Sequence, residues 1–128
     1  MGISLKGSMM FNFLRPAAKT PRMTAADAVA KIKSGEVTVI DVREASEIAA
    51  SGKAKGALHI PLSLVPLKAD PKAPDRAAGL DLARPVAVYC ASGMRSGSAV
   101  QVLKRLGYDA HNIGTIRDWA NAGGAIGR

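Results

Sequence analysis

Val86-Ala87-Val88-Tyr89-Cys90, running on into Ala91-Ser92-Gly93-Met94-Arg95-Ser96, sets an apolar, β-branched run against a loop of small residues that opens into a helical pattern. A short apolar run bounded by Pro85 and a glycine reads as a strand buried on both faces, as in parallel sheets. Downstream, Ser98, Ala99, Val100, Val102, Leu103 and Leu106 alternate with Gln101, Lys104 and Arg105 at helical spacing, as far as Gly107. Tyr108 to Ile113 reads as a last short strand, and Thr115 to Ala122 as a terminal helix carrying the only tryptophan, Trp119.

Upstream, Thr24 with Asp27 three residues on is a helix start of the capping-box kind; Val29 and Ile32 give that helix its apolar face, and Gly35 ends it. Val37 to Val42 is β-branched almost throughout, a second strand buried on both faces. Glu44 to Ala50 reads as a short helix stopped by Ser51-Gly52, and Ala57 to Pro61 as a brief edge or terminal strand. Residues 62–84, with Pro66, Pro71 and Pro74, form a long connection with one helical turn. Strands alternating with helices predict an α/β fold of three layers, with a central, mainly parallel sheet of about five short strands flanked by helices. In such folds ligands bind outside the carboxyl ends of the strands, where Cys90 stands.

With 128 residues, 48% of them apolar and 22% charged, the chain suits one folded domain with its own core. That domain is expected over residues 23–128, after an N-terminal arm, 1–22, interrupted by Pro16 and Pro21; residues 1–8 read as an added leader. One cysteine excludes an internal disulfide, a Cys-x-x-Cys couple and a multi-cysteine zinc site. His59 and His111 are too few and too far apart to suggest any metal. The net charge of +8 is scattered, with no run longer than Lys104-Arg105, so it reads as a field for small anions and no nucleic-acid partner is expected. No membrane span and no signal peptide are read, and the cytoplasm is the expected location.

A thiol at a strand end, facing a helix N-terminus with a cation near, is electropositive ground, which lowers a cysteine pKa from about 8.5 into roughly the 3.5–7.5 range. The competing reading is a small buried hydrophobe. Gly93 can take the positive φ that a tight cradle needs, so that successive backbone N–H groups of the turn form an anion-binding nest beside the helix start, and the small side chains of Ala91, Ser92 and Gly93 keep the loop compact and open. Ser92 and Ser96 supply hydroxyl donors at the mouth or cap the helix, and Met94 packs or lines the pocket. Arg95 either contacts a substrate anion or ties the loop to an acidic partner.

These residues carry a resemblance to the single-domain rhodaneses, a sulfurtransferase family. Asp41-Val42-Arg43-Glu44, then Gly52 and Gly56-Ala57-Leu58-His59-Ile60-Pro61, then Cys90-Ala91-Ser92-Gly93-Met94-Arg95-Ser96, and finally Gly114 with Asp118-Trp119 are similar to the family's motifs in the family's order, over about residues 24–123. Lys53, Ala54 and Thr115 depart from the pattern, away from the loop. The resemblance implies a rhodanese-like fold and a sulfane sulfur carried as a Cys90 persulfide, from a small anionic donor such as thiosulfate to a thiol or cyanide acceptor, with no cofactor and no metal. A protein sulfur donor or acceptor fits the same scheme. Residues 91–96 would bind the substrate. Asp41 and Arg43, after the first strand, read as a supporting ion pair that pins the loops, Glu44 as a helix start, His59 as a structural hydrogen-bonding group, His111 as exposed and inert, and Trp119 as core.

Two rivals stand beside this reading. A persulfide carrier or interaction module would stop after one equivalent. A Cys-based phosphatase or arsenate reductase belongs to the same general fold but has a loop one residue longer; here the spacing is Cys-x4-Arg, and no acid stands in the loop.

Overall fold

The computed structural model describes residues 21–128, so the expected arm lies outside the described residues except for its last two. The elements are α1 (Ala25–Ile32), β1 (Thr38–Asp41), α2 (Ala45–Ser51), β2 (Lys53–Ala54), β3 (Leu58–His59), α3 (Val65–Lys68), β4 (Val86–Cys90), α4 (Met94–Arg105), β5 (Ala110–Thr115), α5 (Ile116–Asn121) and β6 (Ile126–Gly127). A 3-10 turn at Leu62–Leu64 leads into α3, and together they are the helical turn of the long connection.

Four strands form one parallel sheet in the order β3-β1-β4-β5. The expectation of about five strands therefore needs correcting: β2 and β6 are paired apart from this sheet as a small antiparallel ribbon. The chain leaves β1 towards β3 on one side and leaves β4 towards β5 on the other. The connections thus diverge between β1 and β4, and the carboxyl ends of these two strands flank the crevice where ligands bind in open α/β sheets. Asp41 ends β1 and Cys90 ends β4.

Every residue of β1 and β4 is buried, as their unbroken apolar runs require. Period-two alternation sends their side chains into separate cores. Ile40, Val86, Val88 and Cys90 pack with Val65 of α3, Ala69 just after it, and Ala99 and Leu103 of α4. Val39, Ala87 and Tyr89 pack on the opposite face with Ala28 of α1 and Trp119 of α5. These two cores make the three layers. Trp119 is buried and its indole N–H donates to the Ala125 carbonyl at 2.9 Å, which ties the end of α5 to the turn before β6.

Helix starts follow the local chemistry. Thr24 and Asp27 form the expected reciprocal cap of α1, with Asp27 N–H donating to Thr24 Oγ1 at 3.1 Å and Thr24 N–H to Asp27 Oδ2 at 2.9 Å. Thr115 and Asp118 do the same for α5, so the threonine that departs from the rhodanese motif serves as a helix cap. Its place also corrects the expectation that it lies away from the loop, since it pairs with Cys90 across β4 and β5. β4 takes in Cys90 as its last residue. β5 carries an irregularity in register: Val88 pairs with Asn112 but Tyr89 with Gly114. Gly114 meets this bend at φ 98° with the Asp118 carboxylate against it, where a side chain would be strained and crowded.

Candidate active site

β4 delivers Cys90 to the edge of the crevice, and the chain then turns through Gly93 at φ 90° before α4 begins at Met94. This turn faces the loop's donors onto the sulfur. Gly93 N–H donates to Cys90 Sγ at 3.0 Å and Ser96 N–H at 3.4 Å, and Ser96 Oγ lies 3.4 Å from the same atom. Burial pulls the thiol pKa up, but the Ser96 hydroxyl and the N–H groups of Ser96, Ser92 and Gly93 outweigh it and bring the value from 9.0 down to about 7. Cys90 is completely covered, as the small-hydrophobe reading has it, yet it is surrounded by donors, as the anion-cradle reading has it. Both descriptions hold at once.

Ser96 is the third residue of α4 and does not cap it; Gly93 holds the N-cap position. Fully buried, Ser96 has two acceptors within reach of its one hydroxyl proton, the sulfur and Asn112 Oδ1 at 2.8 Å. Ionisation of the thiol makes the sulfur the stronger competitor for that proton. Asn112 also donates through Nδ2 to the Gly93 carbonyl at 2.9 Å and accepts from Gly114 N–H at 3.0 Å, so it clasps the loop to β5. Ser92 Oγ accepts from Met94 N–H at 3.3 Å, a local turn bond. Ala91 is exposed. Met94 is 79% exposed, so of the two expectations for it, packing is not seen.

Of the two roles open to Arg95, the geometry gives it the acidic partner. Its Nη1 and Nη2 donate to Glu47 Oε1 and Oε2 at 2.6 and 2.8 Å, a two-point clasp between α4 and α2. Glu47 also accepts from Glu44 N–H at 2.9 Å, and the Arg95 bond followed by this one holds its carboxyl at about 2, below its ordinary 4.5. Arg95 in turn feels the charge of both Glu47 and Cys90.

Beneath the crevice, Asp41 and Arg43 form a buried ion pair at 2.8 Å. Arg43 spends its remaining donors on Ser51 Oγ and the Gly52 carbonyl, and its own N–H donates to Asp41 Oδ1. Tyr89 donates its hydroxyl to Asp41 and accepts Ala54 N–H at 2.8 Å; burial, followed by the bond to Asp41, pushes its pKa well above 10.0. His59 Nε2 lies 2.7 Å from the Arg43 carbonyl, the hydrogen-bonding role expected of it. His111 departs from expectation, since it is half-buried with its Nε2 2.9 Å from Asp109 Oδ1.

Glu47, Asn112 and Tyr89 are the site residues that sequence reasoning missed. Only Glu47 left a signal, three residues after Glu44 in a capping-box spacing. Among the described residues no group of histidine, cysteine and carboxylate side chains could hold a metal, and no helix is long and apolar enough to cross a membrane.

Comparison with known proteins adds an independent line. The sequence model of the family described as Rhodanese-like domain matches residues 24–122. The thiosulfate:glutathione sulfurtransferase of Saccharomyces cerevisiae is 34% identical over 101 residues, which cover 69% of this chain and 68% of that one. A human single-domain sulfurtransferase superposes with a TM-score of 0.64 at 30% identity, covering 80% of this chain and 96% of that one. A protein of Rhodopseudomonas palustris, described as of unknown function and a possible tyrosine phosphatase, superposes with a TM-score of 0.71 at 32% identity, over 83% of each chain.

Proposed function

The chain belongs to the rhodanese-like domain family, and on that footing we propose that it is a sulfurtransferase whose sulfur passes through a persulfide on Cys90. The observation that carries this reading is the set of donors on one sulfur: Gly93 N–H, Ser96 N–H and the Ser96 hydroxyl, with the thiol held near 7. A thiolate is the attacking species, and the lowering of the thiol pKa from 9.0 to about 7 raises its share at neutral pH.

In the first half-reaction the Cys90 thiolate attacks the outer sulfur of thiosulfate. A new S–S bond forms, the donor's S–S bond breaks, and sulfite departs with the electron pair. Amides and a hydroxyl already aimed at negative sulfur stabilise the persulfide with little reorganisation. In the second, an outside nucleophile, either cyanide or the thiolate of a thiol such as glutathione, attacks the outer sulfur, and the electron pair of the breaking bond returns to Cys90. With one cysteine in the chain, the sulfur has to leave to another molecule. Residues 91–96 build the cradle, Arg95 holding it through Glu47, while Asp41 and Arg43 hold the floor.

The test is intact mass spectrometry after exposure to thiosulfate. The expected result is a gain of one sulfur atom, removed by cyanide and absent in Cys90→Ser; no gain from any sulfane donor would sink the proposal. Continuous thiocyanate formation separates turnover from a carrier that stops at one equivalent. The relative described as a possible tyrosine phosphatase keeps the phosphatase rival in view, and hydrolysis of p-nitrophenyl phosphate lost in Cys90→Ser would favour it.

A further inference from the structure

We propose that the cleft between α2 and α5 is the acceptor site of this sulfur transfer, and that Arg117 sets its specificity by pairing with a carboxylate on an acidic thiol. The inference rests on the sulfur-transfer reading and adds to it the chemistry of the acceptor.

The cleft has a volume of about 500 Å³, and its lining includes Arg43, Glu47, Ser51, Ala91, Thr115 and Arg117. Three of these place it alongside the thiol loop. Ala91 follows Cys90 in the chain, Thr115 is the register partner of Cys90 across β4 and β5, and Glu47 grips Arg95. It therefore opens at the carboxyl ends of the strands, on the side where the loop is clasped to α2.

The charges lining it are not equivalent. Arg43 is committed to Asp41, Ser51 and Gly52. Glu47 is committed to Arg95 and to Glu44 N–H. Arg117 is exposed and makes no hydrogen bond or ion pair among the described residues. Two of the three charges are thus neutralised in place, and a guanidinium remains to meet an incoming anion. Its planar fork suits a carboxylate at two points.

The cleft has room for an organic acceptor. Sites of roughly 300–1,000 Å³ are those that enclose organic ligands, whereas thiosulfate needs only the loop itself. A carboxylate held at Arg117 would anchor the tail of a thiol whose sulfur end approaches the loop. The acceptor thiolate then attacks the outer sulfur of the Cys90 persulfide, a new S–S bond forms on the acceptor, and the Cys90 thiolate is released. No oxidant or reductant is consumed.

The experiment loads the protein with thiosulfate, confirms the added sulfur by intact mass, and follows discharge by 3-mercaptopropionate and by 2-mercaptoethanol, thiols with and without a carboxylate. In Arg117→Ala the preference for 3-mercaptopropionate should fall about three- to fivefold, the size of a solvent-facing ion pair. Arg117→Glu should lower it further, Arg117→Lys should restore most of it, and added salt should shrink the difference between the unaltered chain and Arg117→Ala. Loading followed by an unchanged preference overturns the acceptor assignment alone. A loss that falls on loading by thiosulfate instead makes Arg117 a donor residue and also overturns it. If the unaltered chain takes up no sulfur from any sulfane donor, the sulfur-transfer reading fails and the acceptor site with it.

Discussion

Two ion pairs hold the elements around Cys90, and they are built to opposite specifications. Asp41–Arg43 lies under the crevice with its side chains 0% and 3% exposed, and Arg43 finds further partners in Ser51 and Gly52 while Tyr89 binds Asp41. Glu47–Arg95 lies at the rim with both side chains 32% exposed. A buried pair is tolerated only when nearly every donor and acceptor is satisfied, because desolvation offsets most of its attraction. A rim pair loses less to desolvation and gains less, since water and salt screen it. The floor pair therefore belongs to the stability of the fold, and the rim pair to the placement and field of the loop.

The sharpest way to break this contrast is Asp41→Asn. It leaves the Arg43 guanidinium buried without its counter-charge and should cost about 3–5 kcal/mol in urea unfolding. Removing both charges, as in Asp41→Asn with Arg43→Met, should recover much of that loss, since the penalty lies in the stranded charge. A loss below about 1 kcal/mol in the single variant would put the floor pair in the same class as the rim pair.

Arg95→Gln tests the other side. Its stability cost should stay under about 1 kcal/mol, while its effect on the thiol should be visible. Removing the cation leaves the Glu47 carboxylate uncompensated near Cys90 and disfavours the thiolate. Loading by thiosulfate in the unaltered chain should rise with pH through about 7; in the variant that midpoint should move up. An unmoved midpoint would reduce the clasp to mechanical support.

The smallest effect is the acid limb of stability. Glu47 titrates near 2 in the folded chain against an ordinary 4.5, so its contribution is complete above pH 4.5 and is lost as pH falls towards 2. The urea midpoints of the unaltered chain and Glu47→Gln should therefore converge between those limits, closing a gap of at most about 1 kcal/mol once screening is counted. A gap that stays constant would show that Glu47 acts through shape and not charge.

The contrast also marks what was legible in the residues. β1 and β4 announced themselves because burial on both faces demands unbroken apolar runs, and Gly93 announced the turn because few residues accept its φ. Asp41 and Arg43 were readable as a pair because a single residue, Val42, separates them in a short motif. Glu47 and Arg95 are 48 positions apart, and nothing in either neighbourhood names the other. Asn112 reaches the loop beside the register irregularity of β5, which no periodicity records. Two-residue strands such as β2 and β6 carry no pattern at all, since a period needs more than one repeat to be seen.

Thiol and phenol stand on consecutive residues of β4, and so on opposite sides of the sheet. Reactive chemistry and its scaffolding are thereby insulated from each other by the thickness of one backbone: packing near α4 can evolve without disturbing the carboxylate that Tyr89 holds. The same arrangement leaves no tolerance for a frameshift of the strand. Slipping β4 by a single residue would present an aromatic ring where sulfur should be and drive Cys90 towards Asp41. Neighbours hydrogen-bonded along both flanks, β1 and β5, keep that exchange from occurring.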